Sequence, residues 1–390
     1  MTHTKEWDEQ YIAHTYARFP VCLTEGSGSV LNDEQGKEYI DLGSGIAVNT
    51  FGAADEVWVD AVTAQLKKLA HTSNLYYTEP AAKLAKMLCE RTGMSKVFFS
   101  NSGAEANECA IKAARKYAAE TLGAEYYNII TLNGSFHGRT ITTLAATGQQ
   151  VFHQQFQPLT LGFLYADAGN AQQLEQLLTE HKCAAVMLEP VQGEGGVNAL
   201  DFEYLKQVEQ LAHAHGALVI LDEVQCGNGR TGKLFGYMHS GIQPDIITTA
   251  KGLGNGLPIG ATIFNQKTAQ VYQPGDHGST FGGNPVSCAG AVSVLERMDE
   301  EFLNQVAHKA ELIRTSLQGA KGIKSVSGLG LMVGVETERD AAQVLNECIE
   351  NGVLVLKAKT KIRLLPALNI PDELLEKALQ VLKAACTNIQ

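Results

Sequence analysis

ALVILDEVQ (217–225), CGNGRTGKLFGYMHSGIQ (226–243) and PDIITTAKGLGNGLPIG (244–260) form one continuous stretch, and its reading decides the fold. Val219-Ile220-Leu221 runs into Asp222-Glu223, and Ile246-Ile247 runs through Thr248-Thr249-Ala250 to Lys251. Short β-branched runs bounded by Gly and Pro read as buried strands of a parallel sheet. Ligands of such sheets collect at the carboxyl ends of the strands, where Asp222 and Lys251 project. Taken singly, a lysine there is most often solvated and an aspartate most often a helix cap. Taken as a pair at neighbouring strand ends, with a Gly-rich loop behind the lysine, they mark a ligand site.

Upstream, Lys96–Ser100 reads as a strand, 101–107 as a turn and ECAIKAARKYAAE as a helix with small residues on one face. A strand, a Gly turn and a helix start can hold an anion, because free N–H groups and the helix dipole both favour negative charge. Further strands are expected at 127–132 and 184–188, with helices at 171–180 and 205–215. The β-α alternation from about 97 to 262 implies a mostly parallel sheet with helices on both faces. Before it stand a helical arm (1–20) and a hairpin turning at Asn32–Gly36. After Gly282-Gly283-Asn284-Pro285 the pattern becomes α+β, beginning with a long helix from 285 to 298 that continues through 301–317. The expected division is 1–48, arm and hairpin packing with the small domain; 49–285, large domain; and 286–390, small domain.

The formal charge of −11 disfavours nucleic acid and anionic membrane as partners. Eight scattered cysteines without a CxxC pair fit reduced thiols and no metal site. The polar start MTHTKEWDEQY has no apolar h-region, and no run reaches the length of a membrane span. We expect a soluble, cytoplasmic protein.

A lysine desolvated among apolar strands loses part of its preference for charge and becomes a nucleophile toward carbonyls. Lys251 could therefore hold an aldehyde cofactor as a Schiff base. A carboxylate such as Asp222 would keep a pyridine nitrogen protonated and make the ring an electron sink. Ser102-Gly103-Ala104 offers an anion site for a phosphate, and Phe136 and Val224 offer two faces for a flat ring. The requirements together describe pyridoxal phosphate.

SNSGAEAN, FHGRT, EPVQGEGG, LDEVQCGNGRTG, TTAKGLGNGLPIGA and GSTFGGNP, in this order along the chain, resemble the motifs of the class III (ornithine-aminotransferase-like) pyridoxal-phosphate aminotransferases. The resemblance covers essentially the whole chain and implies a fold-type I transferase: an α/β large domain with a mostly parallel, seven-stranded sheet and a smaller α+β domain. It assigns Lys251 to the cofactor linkage and to proton transfer between substrate and cofactor carbons. Asp222 pairs with the ring nitrogen, Val224 and Phe136 flank the ring, Gln225 reaches the phenolic oxygen, and Glu223 lies in the same cofactor-binding run. Ser102, Gly103 and Ala104 hold the phosphate. Thr280 is donated to that phosphate by the other subunit of a homodimer, with Ser279 near the substrate. Arg139 takes a substrate carboxylate, Arg363 takes that of glutamate or 2-oxoglutarate, and Glu194 gates Arg363.

TYARFPV, GKEYIDLGSGIAVN and HTSNLYYTEP carry the resemblance toward the branch that moves the terminal amino group of N2-acetylornithine to 2-oxoglutarate. Ornithine, succinylornithine, succinyldiaminopimelate and 4-aminobutyrate stay open as donors, and a racemase or mutase is a further alternative on the same fold. A dinucleotide loop at GLGNG is disfavoured, because its spacing is GxGxG and Pro258 would interrupt the required helix. His71, His137 and His277 are expected to be structural hydrogen-bonders. One departure stands out: after Asn49 the family has Gly-His-x-His-Pro, whereas this chain reads Thr50-Phe51-Gly52-Ala53-Ala54-Asp55-Glu56. The change bears on packing near the dimer interface more than on chemistry.

Overall fold

The strands expected around Asp222 and Lys251 lie side by side at the centre of the largest sheet. The computed structural model describes residues 3–387. Residues 1–2 and 388–390, the outer ends of the expected arm and of the expected small domain, lie outside the described residues. Seven strands form this sheet, in the order Lys96–Ser100, Gly260–Phe264, Ile246–Thr249, Leu218–Asp222, Cys183–Leu188, Asn128–Leu132, Phe163–Ala166. Leu218–Asp222 runs parallel to both neighbours, with Asp222 beside Thr248. Gly260–Phe264 runs antiparallel to the strands on either side of it. The central strands Cys183–Leu188, Leu218–Asp222 and Ile246–Thr249 are buried throughout. They therefore read as continuous apolar runs and not as alternating ones.

The helix after Lys96–Ser100 starts earlier than the sequence reading placed it. It spans Gly103–Thr121, and Ser102 is its N-cap, accepting the Glu105 N–H. Glu105 in turn accepts from the Asn101 N–H and the Ser102 hydroxyl. Ser102-x-x-Glu105 is the pattern of a capping box, so the glycine turn belongs to the helix's first turn.

Two further differences have local causes. The long helix expected from 285 to 317 is broken into Pro285–Glu296 and Glu300–Leu317, because the Asp299 carboxylate accepts the Phe302 N–H and starts a new helix. The apolar run at 353–356 is divided between two sheets. Val353–Leu354 pairs with Glu38–Asp41 of the hairpin sheet, whereas Leu356–Ala358 pairs with Lys361–Leu364.

The segment that lacks the His and Pro of the family pattern is well packed. Phe51 is buried against Phe302, with the Arg297 guanidinium 3.7 Å above its ring. Asp55 caps the helix Glu56–Lys68 and pairs with Arg297 at 2.8 Å. Among the described residues, no helix is long and apolar enough to cross a membrane, and no His/Cys/Asp/Glu group could hold a metal ion.

Candidate active site

Asp222 ends its strand 3% exposed, and three donors hold its carboxylate. Asn107 Nδ2 and His137 Nδ1 both donate to Oδ2 at 2.8 Å, and the Val224 N–H donates to Oδ1 at 3.0 Å. Asn107 stands four residues after Gly103, on the same face of the helix. Its amide is fixed in turn, because its Oδ1 accepts from the Thr248 hydroxyl at 2.6 Å. The carboxylate thus has one permitted orientation, toward a cavity of about 420 Å³.

Lys251 follows the neighbouring strand and lines the same cavity. Burial pushes its amine below the ordinary lysine range, and the charges of Glu194 and Asp222 partly offset the shift. Its backbone is left-handed, with φ +41°, a conformation that non-glycine residues hold only when the surroundings impose it.

The rest of the cavity wall comes from the expected residues. Ser102, Gly103 and Ala104 bring the start of the 19-residue helix, whose first N–H groups have no intrahelical partner. A Cβ on Gly103 would stand 2.6 Å from Val224 Cγ1, so the missing side chain leaves room for Val224 in the wall. Phe136 faces the cavity, and its N–H donates to Glu189 Oε2 at 2.9 Å. Arg139 is exposed at the rim, 4.3 Å over the ring of Phe152 and 5.5 Å over that of Phe136.

Gln225 and Glu194 meet Arg363, which comes from the strand Lys361–Leu364. Arg363 Nη1 donates to Glu194 Oε1 at 2.5 Å and to Gln225 Oε1 at 3.1 Å. Burial pushes the Glu194 carboxyl up, but the charge and hydrogen bond of Arg363, with the charge of Lys251 and the hydrogen bond of Gln225, together outweigh it, and the group lies below its usual range. Gln225, expected at the cofactor's phenolic oxygen, lines the cavity, and its Oε1 accepts from Arg363 of this ion pair.

Glu223, expected with the cofactor-binding run, does not line the cavity. Successive residues leave a strand on opposite faces, and Glu223 turns away from Asp222 and the cavity. Its carboxylate accepts the N–H groups of Gly236 and Tyr237 at 2.9 and 2.8 Å, holding the following loop. Ser279 and Thr280 also lie apart from this cavity. They sit beside His71, Ser73, Asn74 and Leu75, with Asn101 linking Ser279 to the cavity's edge. Of the three expected structural histidines, His137 bonds Asp222, His277 lies 3.0 Å from Lys112 Nζ, and His71 packs on Phe281.

The sequence reading passed over Asn107 and Glu189. Asn107 is signalled by its i+4 spacing from Gly103. Glu189, the first residue after its strand, bridges the N–H groups of Phe136 and Gly193. Burial pushes its carboxyl up to about 7.

A glycine of the sheet shapes the anion cradle from behind. A Cβ on Gly260 would stand 2.3 Å from the Ser102 carbonyl oxygen, a backbone contact that only movement of the turn can relieve. Gly260→Ala should destabilise the protein by about 1–3 kcal/mol and weaken retention of a phosphorylated ligand. Paired melting curves with and without pyridoxal phosphate check this; equal stabilisation of both proteins by the ligand would contradict it.

A buried lysine stands one strand from a buried carboxylate. Beside them are an open helix start for a phosphate, and an aromatic and a valine for the two faces of a ring. The residues present fit pyridoxal phosphate, and the fold and site define a pyridoxal-phosphate-dependent transferase. Comparison with known proteins narrows the class. The family model for aminotransferase class-III matches residues 11–386. An acetylornithine aminotransferase of Haemophilus ducreyi is 51% identical over 97% of this chain and 97% of its own length. One from Methanocaldococcus jannaschii is 42% identical over 98% of each chain. Among solved structures, the N-acetylornithine aminotransferase of Stenotrophomonas maltophilia superposes with TM-score 0.84 at 36% identity, over 97% of each chain. The ornithine aminotransferase of Toxoplasma gondii gives TM-score 0.93 at 32% identity, over 98% of this chain and 94% of that one. The chain belongs to the class-III aminotransferases, enzymes dependent on pyridoxal phosphate.

Proposed function

We propose that this enzyme moves the terminal amino group of N2-acetyl-L-ornithine to 2-oxoglutarate, giving N-acetyl-L-glutamate 5-semialdehyde and L-glutamate. The observation that carries the reading is the 2.5 Å pair between Glu194 and Arg363, with Arg139 separate at the rim. The two amines of such a cycle differ at the reacting carbon: glutamate carries a carboxylate there and the terminal amine of acetylornithine carries none. Arg363, masked by Glu194, presents a neutral wall to the donor, whose distant carboxylate falls to Arg139. When 2-oxoglutarate enters, its carboxylate takes Arg363 and Glu194 moves aside. Relatives named for acetylornithine, one of them 51% identical, support the same donor.

Bound at Lys251, pyridoxal phosphate supplies an electron sink that acidifies the substrate's reacting carbon. The chain's own residues do the rest. Lys251 carries the proton between substrate and cofactor carbons, and Asp222 holds the ring nitrogen's proton. Ser102, Gly103 and Ala104 would hold the phosphate, and Phe136 and Val224 would flank the two faces of the ring.

In this reading the chain divides at residues 48 and 285, and the joining of Val353–Leu354 to the hairpin strand supports packing of 1–48 with the C-terminal part. A homodimer completes the site, with Thr280 offered to the partner's phosphate. Thr280 is exposed and lies apart from its own chain's cavity. The exposed Leu75, Tyr76, Tyr77 and Phe281 provide an apolar surface of the kind that marks an interface.

Titration with N2-acetylornithine should bleach the visible band of bound cofactor, and 2-oxoglutarate should restore it. Bleaching that required ornithine or 4-aminobutyrate instead would overturn the donor and keep the fold. Arg363→Ala should raise KM for 2-oxoglutarate by about 10- to 100-fold, with the donor half-reaction changed far less. Glu194→Gln should slow the donor half-reaction selectively. Equal effects of each substitution on both half-reactions would contradict the gate.

A further inference from the structure

Lys251 holds a left-handed backbone conformation, and the carbonyls around it show what imposes that conformation. The Ala250 carbonyl accepts from Asn228 Nδ2 at 3.0 Å. The next three holds all come from one segment, residues 50–58, far upstream in the sequence. Thr50 Oγ1 donates to the Gly252 carbonyl at 2.7 Å, and Trp58 Nε1 donates to the Gly254 carbonyl at 3.1 Å. The Phe51 N–H donates to Asn255 Oδ1 at 2.8 Å. Asn255 is itself left-handed, with φ +47°. Contact is close: a Cβ on Gly252 would stand 2.7 Å from Thr50 Oγ1.

The clamping segment is itself anchored. The Thr50 carbonyl accepts the Leu368 N–H at 2.8 Å, and Phe51 and Asp55 are fixed by Phe302 and Arg297. This is the segment in which the chain lacks the two His and the Pro of the family pattern. We propose that Thr50 and Trp58 are positioning residues for Lys251, setting the direction from which its amine reaches the cavity. A proton carrier that serves two carbons needs one fixed approach, since misplacement by about 1 Å can cost on the order of 100-fold in rate. The inference rests on the proposed role of Lys251, and the Lys251→Ala protein tests that role separately.

Thr50→Val removes the hydroxyl and keeps the shape; Thr50→Ser restores the hydroxyl; Trp58→Phe removes the indole N–H. Thr50→Val and Trp58→Phe should each lower kcat about 10- to 100-fold, with KM for both substrates within about twofold. Each should also move the pH midpoint of the bound cofactor's visible band, and Thr50→Ser should bring both readouts back toward the parent. A second readout needs no turnover. The chain has two tryptophans, so in a Trp7→Phe background Trp58 fluorescence should change when pyridoxal phosphate is added to the apoprotein. Parent-like kcat and band midpoint in folded Thr50→Val and Trp58→Phe proteins would overturn the proposal, even if their melting temperatures fell. Should Thr50→Val fail to fold, Trp58→Phe carries the same two readouts alone.

Discussion

Replacing Lys251 by alanine is expected to lower the transamination rate by about 10⁴-fold while the protein still folds. The amine lines the cavity, and burial keeps it below the ordinary lysine range. Lowering its pKa enlarges the neutral, proton-accepting fraction at neutral pH. The fold should survive because alanine bears the same cost at φ +41° as lysine. The hydrogen bonds that fix the loop also go to main-chain carbonyls or to Asn255, not to the lysine side chain. Melting should therefore stay within a few degrees of the parent. Borohydride reduction of the parent should fix the cofactor's mass on the peptide that carries residue 251. An alanine protein with parental rate would remove Lys251 from the chemistry.

The strands ending in Asp222 and Lys251 were legible because fully buried parallel strands have apolar runs that need no partner to be recognised. That Ser102, Gly103, Phe136 and Val224 share one cavity with Asp222 and Lys251 was legible from chemistry, since a phosphate and a flat ring make different demands. Asn107 was not, because its role exists only once the helix is known to begin at Gly103 and to turn that face toward Asp222. Glu223 was misread, because strand alternation continued one residue beyond the point where the motif was taken as a block. The division of 353–356 between two sheets was invisible: four apolar residues look alike whichever sheet pairs with them. The clamp on the Lys251 loop joins residues about 200 positions apart, and no local pattern announces contacts of that range.

Asp222→Ala should lower kcat by about 10²- to 10³-fold, and here stability should fall as well. The substitution strips a buried acceptor from His137 Nδ1, Asn107 Nδ2 and the Val224 N–H. A buried donor left without a partner costs about 1–3 kcal/mol. Water entering the vacated space would recover part of that for the donors nearest the cavity. The expected loss of rate has a separate origin: in the proposed role the carboxylate would hold the ring nitrogen's proton, and its removal would weaken the electron sink. Asn107→Ala separates the two. It breaks the same network, at Asp222, Thr248 and the His137 carbonyl, but leaves the charge in place. Its stability should fall comparably while its rate falls far less. The two variants can be compared by urea unfolding and by single-turnover decay of the visible band after a pulse of amino donor. If Asp222→Ala kept a decay rate within tenfold of the parent, or if Asn107→Ala lost as much rate as Asp222→Ala, the carboxylate would be a structural acceptor and not the partner of the ring.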